Sequence, residues 1–152
     1  MIYCIDTSSL LAAWNERYPI TNVPGFWEHF DQSIKSGMIV SPIEVRIEIK
    51  KKEDGLSVWL ASRSGLFVEL EEDIQLAAKE ILAQFPWLTK GITGRKIADP
   101  FVIALAKARG CTLITEEGFG SPNRPQIPLV CRHYSIPYTN LLGLIQGEAW
   151  VL

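Results

Sequence analysis

A chain of 152 residues with 47% hydrophobic and 21% charged residues has the composition of one folded domain and excludes the polar, highly charged signature of disorder. Fifteen basic against seventeen acidic residues leave a net charge of −2, which excludes a strongly basic chain and counts mildly against a simple nucleic-acid-binding module, although bound cations can invert the field locally. Three cysteines, Cys4, Cys111 and Cys131, form no close pair, which excludes a disulfide framework and a thiolate zinc site.

The thiols read as buried groups of a reducing compartment. No basic leader with an apolar core precedes Ile2, and no apolar run approaches the ~20 residues of a membrane span. A single domain over 1–152, cytoplasmic and without membrane association, is the expectation.

In chain order, IYCI is a short apolar run of the kind buried on both faces of a parallel sheet, and SSLLAAW after it reads as a helix start with Thr7 or Ser8 as cap. Phe26, Phe30 and Ile34 recur at helical spacing in PGFWEHFDQSIKSG, which Gly37 stops, and MIVS follows as a second strand. SPIEVRIEIKKK carries a conflict. Ile43, Val45, Ile47 and Ile49 alternate with polar residues as in a strand, yet Ser41, Pro42 and Glu44 make a capping box with proline at the first helical position. Helix is the stronger reading. Its apolar residues then fall on two opposite faces, as in a helix sandwiched between layers, with Glu44 and Glu48 together between them.

DGLSVWLASRSG predicts a short helix and EDIQLAAKEILAQFP a longer one that Pro86 ends. A third helix runs from Ala98 to Arg109, where Asp99 is a ready cap, Pro100 sits in the first turn and Gly110 stops the helix. CTLIT is the next buried strand, and EEGFGSPNRPQIP, rich in Gly and Pro, reads as a surface loop. From Leu129 the tail predicts a short helix around Val130 to Tyr134, an extended stretch Ile136 to Tyr138 and a last helix from Asn140. Strands separated by helices imply a three-layer α/β/α sandwich around a central, mostly parallel sheet with right-handed crossovers.

Ligands of open α/β sheets bind at the carboxyl ends of the strands. Asp6 follows the first strand, Glu48 lies a helical turn or so beyond the second, Asp99 opens a helix, and Glu116 and Glu117 follow CTLIT. Carboxylates converging on one edge repel one another unless cations compensate them, and hard oxygen donors select Mg2+ or Mn2+, ions that activate water for attack on a phosphodiester. Taken singly, Asp6 reads as a turn or cap, Asp99 as an N-cap and Glu44 as the second half of the capping box. Glu48 is harder to dismiss, because a carboxylate on a buried helix needs a partner. His29 and His133 are isolated, and no phosphate-cradling glycine motif exists. Trp27 and Trp59 at helical spacing read as core, while Trp14 and Trp150 are candidates for either core or a dimer face.

The order IDTSSLL, EI after a strand, ADPFVIALAKARG and a strand ending TEEGF resembles the PIN domain, a metal-dependent ribonuclease fold. PGFWEHF, the VxxEI spacing in VRIEI, TEE and IPLVCRHY resemble a PIN-like branch of unknown function, so that the resemblance spans nearly the whole chain. It implies Asp6, Glu48 and Asp99 as the first three acids of a catalytic Mg2+ or Mn2+ site. The fourth position, usually aspartate in a Thr-Asn-Asp stretch, meets Thr115, Glu116 and Glu117, which makes Glu117 the match and Glu116 its neighbour. Thr7 or Ser8 takes the place of the family hydroxyl that bonds metal-bound water.

The implied activity is hydrolysis of RNA to leave a 5′ phosphate. Small single-domain relatives are VapC-like toxins, restrained by a cognate antitoxin and dimeric through their helices, so an antitoxin partner and a homodimer are expectations here. Arg95 and Lys96, just before Asp99, suit the RNA backbone. Lys50, Lys51 and Lys52 suit it too, though lysines at a helix end also complement its dipole. The alternative is a catalytically degenerate PIN-like interaction module, motivated by the substituted TEE position.

Overall fold

The computed structural model describes residues 2–88, 97–121 and 124–152. The apolar run after Met1 becomes strand β1 (Tyr3–Ile5), whose Cys4 and Ile5 are fully buried. Asp6 ends it and caps helix α1 (Thr7–Ala12), its Oδ1 accepting the Ser9 N–H at 2.8 Å. The cap is therefore Asp6, as its reading as a turn or cap expects, and not Thr7 or Ser8. A carboxylate reaches the third backbone N–H of the helix and also favours the positive end of its dipole.

The chain then tightens into a π-helical turn, Ala13–Arg17, closed by the Tyr18 N–H donating to the Ala13 carbonyl at 2.9 Å. Nothing in the sequence pattern announced this turn. Helix α2 (Pro24–Lys35) buries Phe26, Phe30 and Ile34 as their spacing predicts, and Trp27 beside them. Trp27 is the hub of an aromatic cluster, edge-on to Trp14 at 5.1 Å and to Trp59 at 5.0 Å, and its Nε1 donates to the Tyr18 carbonyl at 2.6 Å. Truncating one such fully packed ring to alanine costs about 3–5 kcal/mol. Both Trp14 and Trp150 are half-buried against this cluster. Gly37 ends the helical segment in the left-handed region, at φ 75°, where a glycine is nearly free of strain.

Strand β2 (Ile39–Pro42) is followed at once by α3 (Ile43–Lys52). Helix wins over strand here, but not through the expected capping box. The cap is Pro42, which has no side chain to bond, and the Ser41 hydroxyl instead donates to the Ile5 carbonyl at 2.7 Å, tying β2 to β1. Nor does α3 bury two opposite faces. Glu44, Val45, Glu48 and Ile49 make one buried face, and Ile47 is 44% exposed. The spacing of these four, i, i+1, i+4 and i+5, is a helical stripe that period-2 counting conceals.

After α4 (Asp54–Ala61) comes a two-residue strand β3 (Phe67–Val68), too short for its pattern to be read from sequence. Helix α5 (Glu72–Gln84) packs along α6 (Asp99–Arg109), and Gly110 stops α6 in the left-handed conformation as expected. In α6, Ala98 is the cap and Asp99 the first helical residue, so the expected cap role of Asp99 is not observed. Strand β4 (Thr112–Ile114) leads into a loop that contains a minimal hairpin, β5 (Gly120–Ser121) with β6 (Arg124–Pro125). The tail supplies α7 (Ile127–His133), β7 (Tyr138–Thr139) and α8 (Leu141–Gly147), the last capped by the Asn140 side chain.

Five strands form one sheet in the order β3-β2-β1-β4-β7, every neighbouring pair parallel, with Tyr3 of β1 opposite Ile39 on one side and Thr112 on the other. The fold is thus an α/β sandwich with helices covering the sheet. Successive right-handed crossovers outward from β1 to β3 set α1 to α4 on one face, and the return past β1 to β4 sets α5 to α7 on the other. The packing of α1 on α3, of α3 on α4, and of α6 on both α5 and α7 agrees. The strand order reverses between β1 and β4, and the crevice at the carboxyl ends of those two strands is where such sheets bind ligands. Among the described residues no helix is long and apolar enough to cross a membrane.

Candidate functional site

Asp6 stands at that reversal point. It is 0% exposed, and burial pushes its carboxyl up to about 6, against the opposing pull of the Thr115 hydroxyl, the Ser9 N–H and the Ser8 hydroxyl. Ser8 Oγ donates to Asp6 Oδ2 at 2.8 Å and accepts the Glu116 N–H at 3.3 Å. Thr115 Oγ1 accepts the Glu117 N–H at 3.1 Å. Two hydroxyls therefore connect the end of β1 to the end of β4 through the carboxylate of Asp6. Adjacent backbone pairing, Asp6 N–H to the Ile114 carbonyl at 3.0 Å, holds these ends in register.

Glu48 joins from the other side. Thr7 Oγ1 donates to Glu48 Oε1 at 2.6 Å, and both groups are buried. Consecutive residues Asp6, Thr7 and Ser8 thus serve three different partners: the helix cap, the acid on α3, and the end of β4. Glu44 lies one turn before Glu48 on the same buried face, 8% exposed, with Oε1 unpartnered among the described residues and its carboxyl raised by burial. Assigning it to a capping box left it out of the predicted site. Its spacing of four from Glu48 was the signal that it shares that face.

Asp99 is buried at the start of α6. That helix runs opposite to β1 across the sheet face, with Cys4 Sγ 3.6 Å from the Val102 carbonyl fixing its position over the strand. From that contact, two residues along β1 lead to Asp6 and three residues back along α6 lead to Asp99, both toward the carboxyl edge.

The glutamates after β4 have diverged in role. Glu116 is paired by Arg17 of the π-helical turn, Nε to Oε1 3.3 Å, an ion pair outside hydrogen-bond geometry. Arg17 is a basic neighbour of the site that sequence reasoning missed, because the π turn that aims it has no motif. Glu117 Oε2 accepts the Ile127 N–H at 3.4 Å at the start of α7 and lines an open cleft of about 220 Å3 with Thr115, Tyr138, Thr139 and Asn140. Of the predicted basic contacts, Arg95 and Lys96 lie outside the described residues. Lys50, Lys51 and Lys52 occupy the exposed last turn of α3.

The donor set is all oxygen: carboxylates, threonine and serine hydroxyls. Among the described residues no group of three or more His, Cys, Asp or Glu side chains stands close enough to hold a metal ion. By the chemistry of the donors, the buried carboxylates of Asp6, Glu48 and Asp99 nevertheless suit a hard divalent cation, since burying carboxylates without compensating charge is costly. The class defined by fold and site is an α/β domain with an acidic, hydroxyl-braced crevice at the reversal point of a parallel sheet. Residues 3–152 match the family described as a domain of unknown function, DUF4411, and the chain belongs to that family. A comparison with curated proteins found no match.

Proposed function

We propose that this chain is a PIN-like, divalent-metal-dependent ribonuclease. The observation that carries the reading is the delivery of acids from three separate segments, Asp6, Glu48 and Asp99, to the carboxyl side of β1 and its neighbours, braced by Thr7 and Ser8. Asp6, Glu48 and Asp99 are the residues to hold Mg2+ or Mn2+, with Glu117 as fourth acid. The ion when bound supplies an activated water and neutralises charge on the phosphodiester. The chain's own residues prepare that chemistry. Asp6, whose carboxyl burial raises, would meet a cation as the carboxylate, Thr7 holds the Glu48 carboxylate in one orientation, and Ser8 orients the second oxygen of Asp6. Toxin activity restrained by an antitoxin, and dimerisation through helices, belong to the same proposal and rest on the resemblance of small PIN domains.

One observation favours a second reading, a degenerate interaction module. Glu117 already has a structural task at the start of α7, where a metal ligand would be expected. Calorimetry with Mn2+ and cleavage of single-stranded and structured RNA separate the two. The nuclease reading predicts Mn2+ binding abolished by Asp6→Asn and cleavage lost in a still-folded Asp99→Asn. A wild-type protein that neither binds Mn2+ nor cuts RNA overturns it.

A further inference from the structure

We infer that Phe119, Arg132 and Tyr138 form a stacking platform for an unpaired base of single-stranded RNA, beside the acidic crevice; this rests on the ribonuclease reading. Phe119 stands two residues beyond Glu117 and leaves 43% of its surface in solvent. Its ring meets Tyr138 edge-on at 6.3 Å, and the Arg132 guanidinium carbon lies 4.6 Å from its centroid. Arg132 Nε in turn donates to the Tyr138 hydroxyl at 3.2 Å, so the guanidinium plane is held by two rings.

Three features make this trio a recognition surface. It is continuous with the site, because Tyr138 lines the same cleft as Glu117 and Thr115. It carries an uncompensated charge, since among the described residues Arg132 pairs with no carboxylate and its partners are neutral. Two of its members stand on regular elements, Tyr138 in β7 and Arg132 in α7, while Phe119 comes from the stretch just before β5. A phenyl face and a guanidinium plane are the surfaces on which unstacked bases lie, and a duplex, whose bases are already stacked, cannot use them. Cleavage would then fall next to an unpaired nucleotide.

Fluorescence anisotropy in EDTA tests the platform without requiring catalysis. The probes are a short labelled single-stranded RNA, an abasic ribose-phosphate strand of equal length, and a blunt RNA duplex. Wild-type protein is expected to bind the single strand about tenfold more tightly than the abasic strand or the duplex. Phe119→Ala should erase that preference while leaving abasic binding unchanged. Phe119→Leu, which keeps an apolar contact but offers no ring face, should match Phe119→Ala, and Phe119→Trp should retain the preference. Equal binding of base-bearing and abasic strands by wild type, no binding of any probe, or an unchanged preference in Phe119→Leu overturns the platform. Adding Mn2+ to the same single strand parts the two ideas. Base-dependent binding without cleavage overturns the ribonuclease reading alone, and cleavage with no dependence on Phe119 overturns the platform alone.

Discussion

Thr7 donates its hydroxyl to Glu48 across 41 positions of sequence, at 2.6 Å, with both side chains buried. A buried hydrogen bond to a carboxylate is worth about 1.5–3 kcal/mol, more than a neutral one, because the carboxylate has no solvent to fall back on. The bond docks α1 on α3 and sets the orientation of Glu48 at once. In a double-mutant cycle by urea denaturation, Thr7→Val and Glu48→Met should each change stability, with a coupling of about 1–2 kcal/mol. Additive single effects would show that the two groups do not depend on each other.

Asp6 is expected to destabilise the metal-free fold at neutral pH. Its carboxyl titrates near 6 in the fold and near 3.9 in an unfolded chain, so between these values the folded state binds more protons. Stability from this group therefore falls as pH rises from about 4 to about 6, and the two-unit shift corresponds to about 3 kcal/mol. Asp6→Asn should melt higher than wild type at neutral pH, and the gap should close toward about pH 4. Mn2+ should raise the melting temperature of wild type and not of the variant. A variant that melts lower at neutral pH contradicts the burial account.

Ser41 separates sheet tie from helix cap. Removing its buried hydroxyl in Ser41→Ala leaves the Ile5 carbonyl with one donor fewer and should cost about 1–2 kcal/mol by denaturant titration. Hydrogen exchange should then quicken at the β1 and β2 amides. Faster exchange confined to the first turn of α3 would favour the capping role instead.

The thiols should be silent until the chain unfolds. Burial raises all three, with Cys131 pushed up to about 12 and the buried carboxylate of Asp6 adding to the effect on Cys4 and Cys131. Little thiolate exists at pH 8, and the thiolate is the reacting species. A disulfide exchange reagent should find no fast-reacting thiol in the folded protein and three in denaturant. Fast labelling of one cysteine in the native state would contradict this.

Ala substituted for Gly143 should perturb the cleft from behind. A Cβ there would collide with Thr139 Oγ1, and Thr139 lines the cleft beside Glu117. Because Thr139 can turn only about χ1, Gly143→Ala should cost about 1–3 kcal/mol in thermal melts, and Thr139→Ala in the same background should restore part of the loss.

Much of the architecture was legible because it follows from local rules. Buried strands such as IYCI and CTLIT are short apolar runs, Phe26, Phe30 and Ile34 keep helical period, and Gly37 and Gly110 meet a backbone demand that few other residues satisfy. Those signals depend on neighbours within a turn or two, so the alternation of strands and helices, and with it a parallel α/β sandwich, could be read directly. The candidate acids were legible as well, as lone carboxylates at the ends of buried runs.

What each acid touches was decided only by tertiary structure. Ser41 and Glu44 satisfy a capping rule on paper, yet the proximity of β1 offers the Ser41 hydroxyl a buried carbonyl and leaves Glu44 on the inner face of α3. Asp99 has the chemistry of a cap but sits inside the first turn, and Glu117 has the chemistry of a ligand but reaches the start of α7. Arg17 comes to Glu116 only because a π turn redirects the chain. For Ser41 a local role and a distant partner compete, and long-range packing chooses the distant one. By itself the sequence determined most of the strands and helices and the candidate acids Asp6, Glu48, Asp99 and Glu117. Their pairing through Thr7, Ser8 and Thr115 came from the parallel register of β1 with β2 and β4, which brings together groups that lie far apart along the chain.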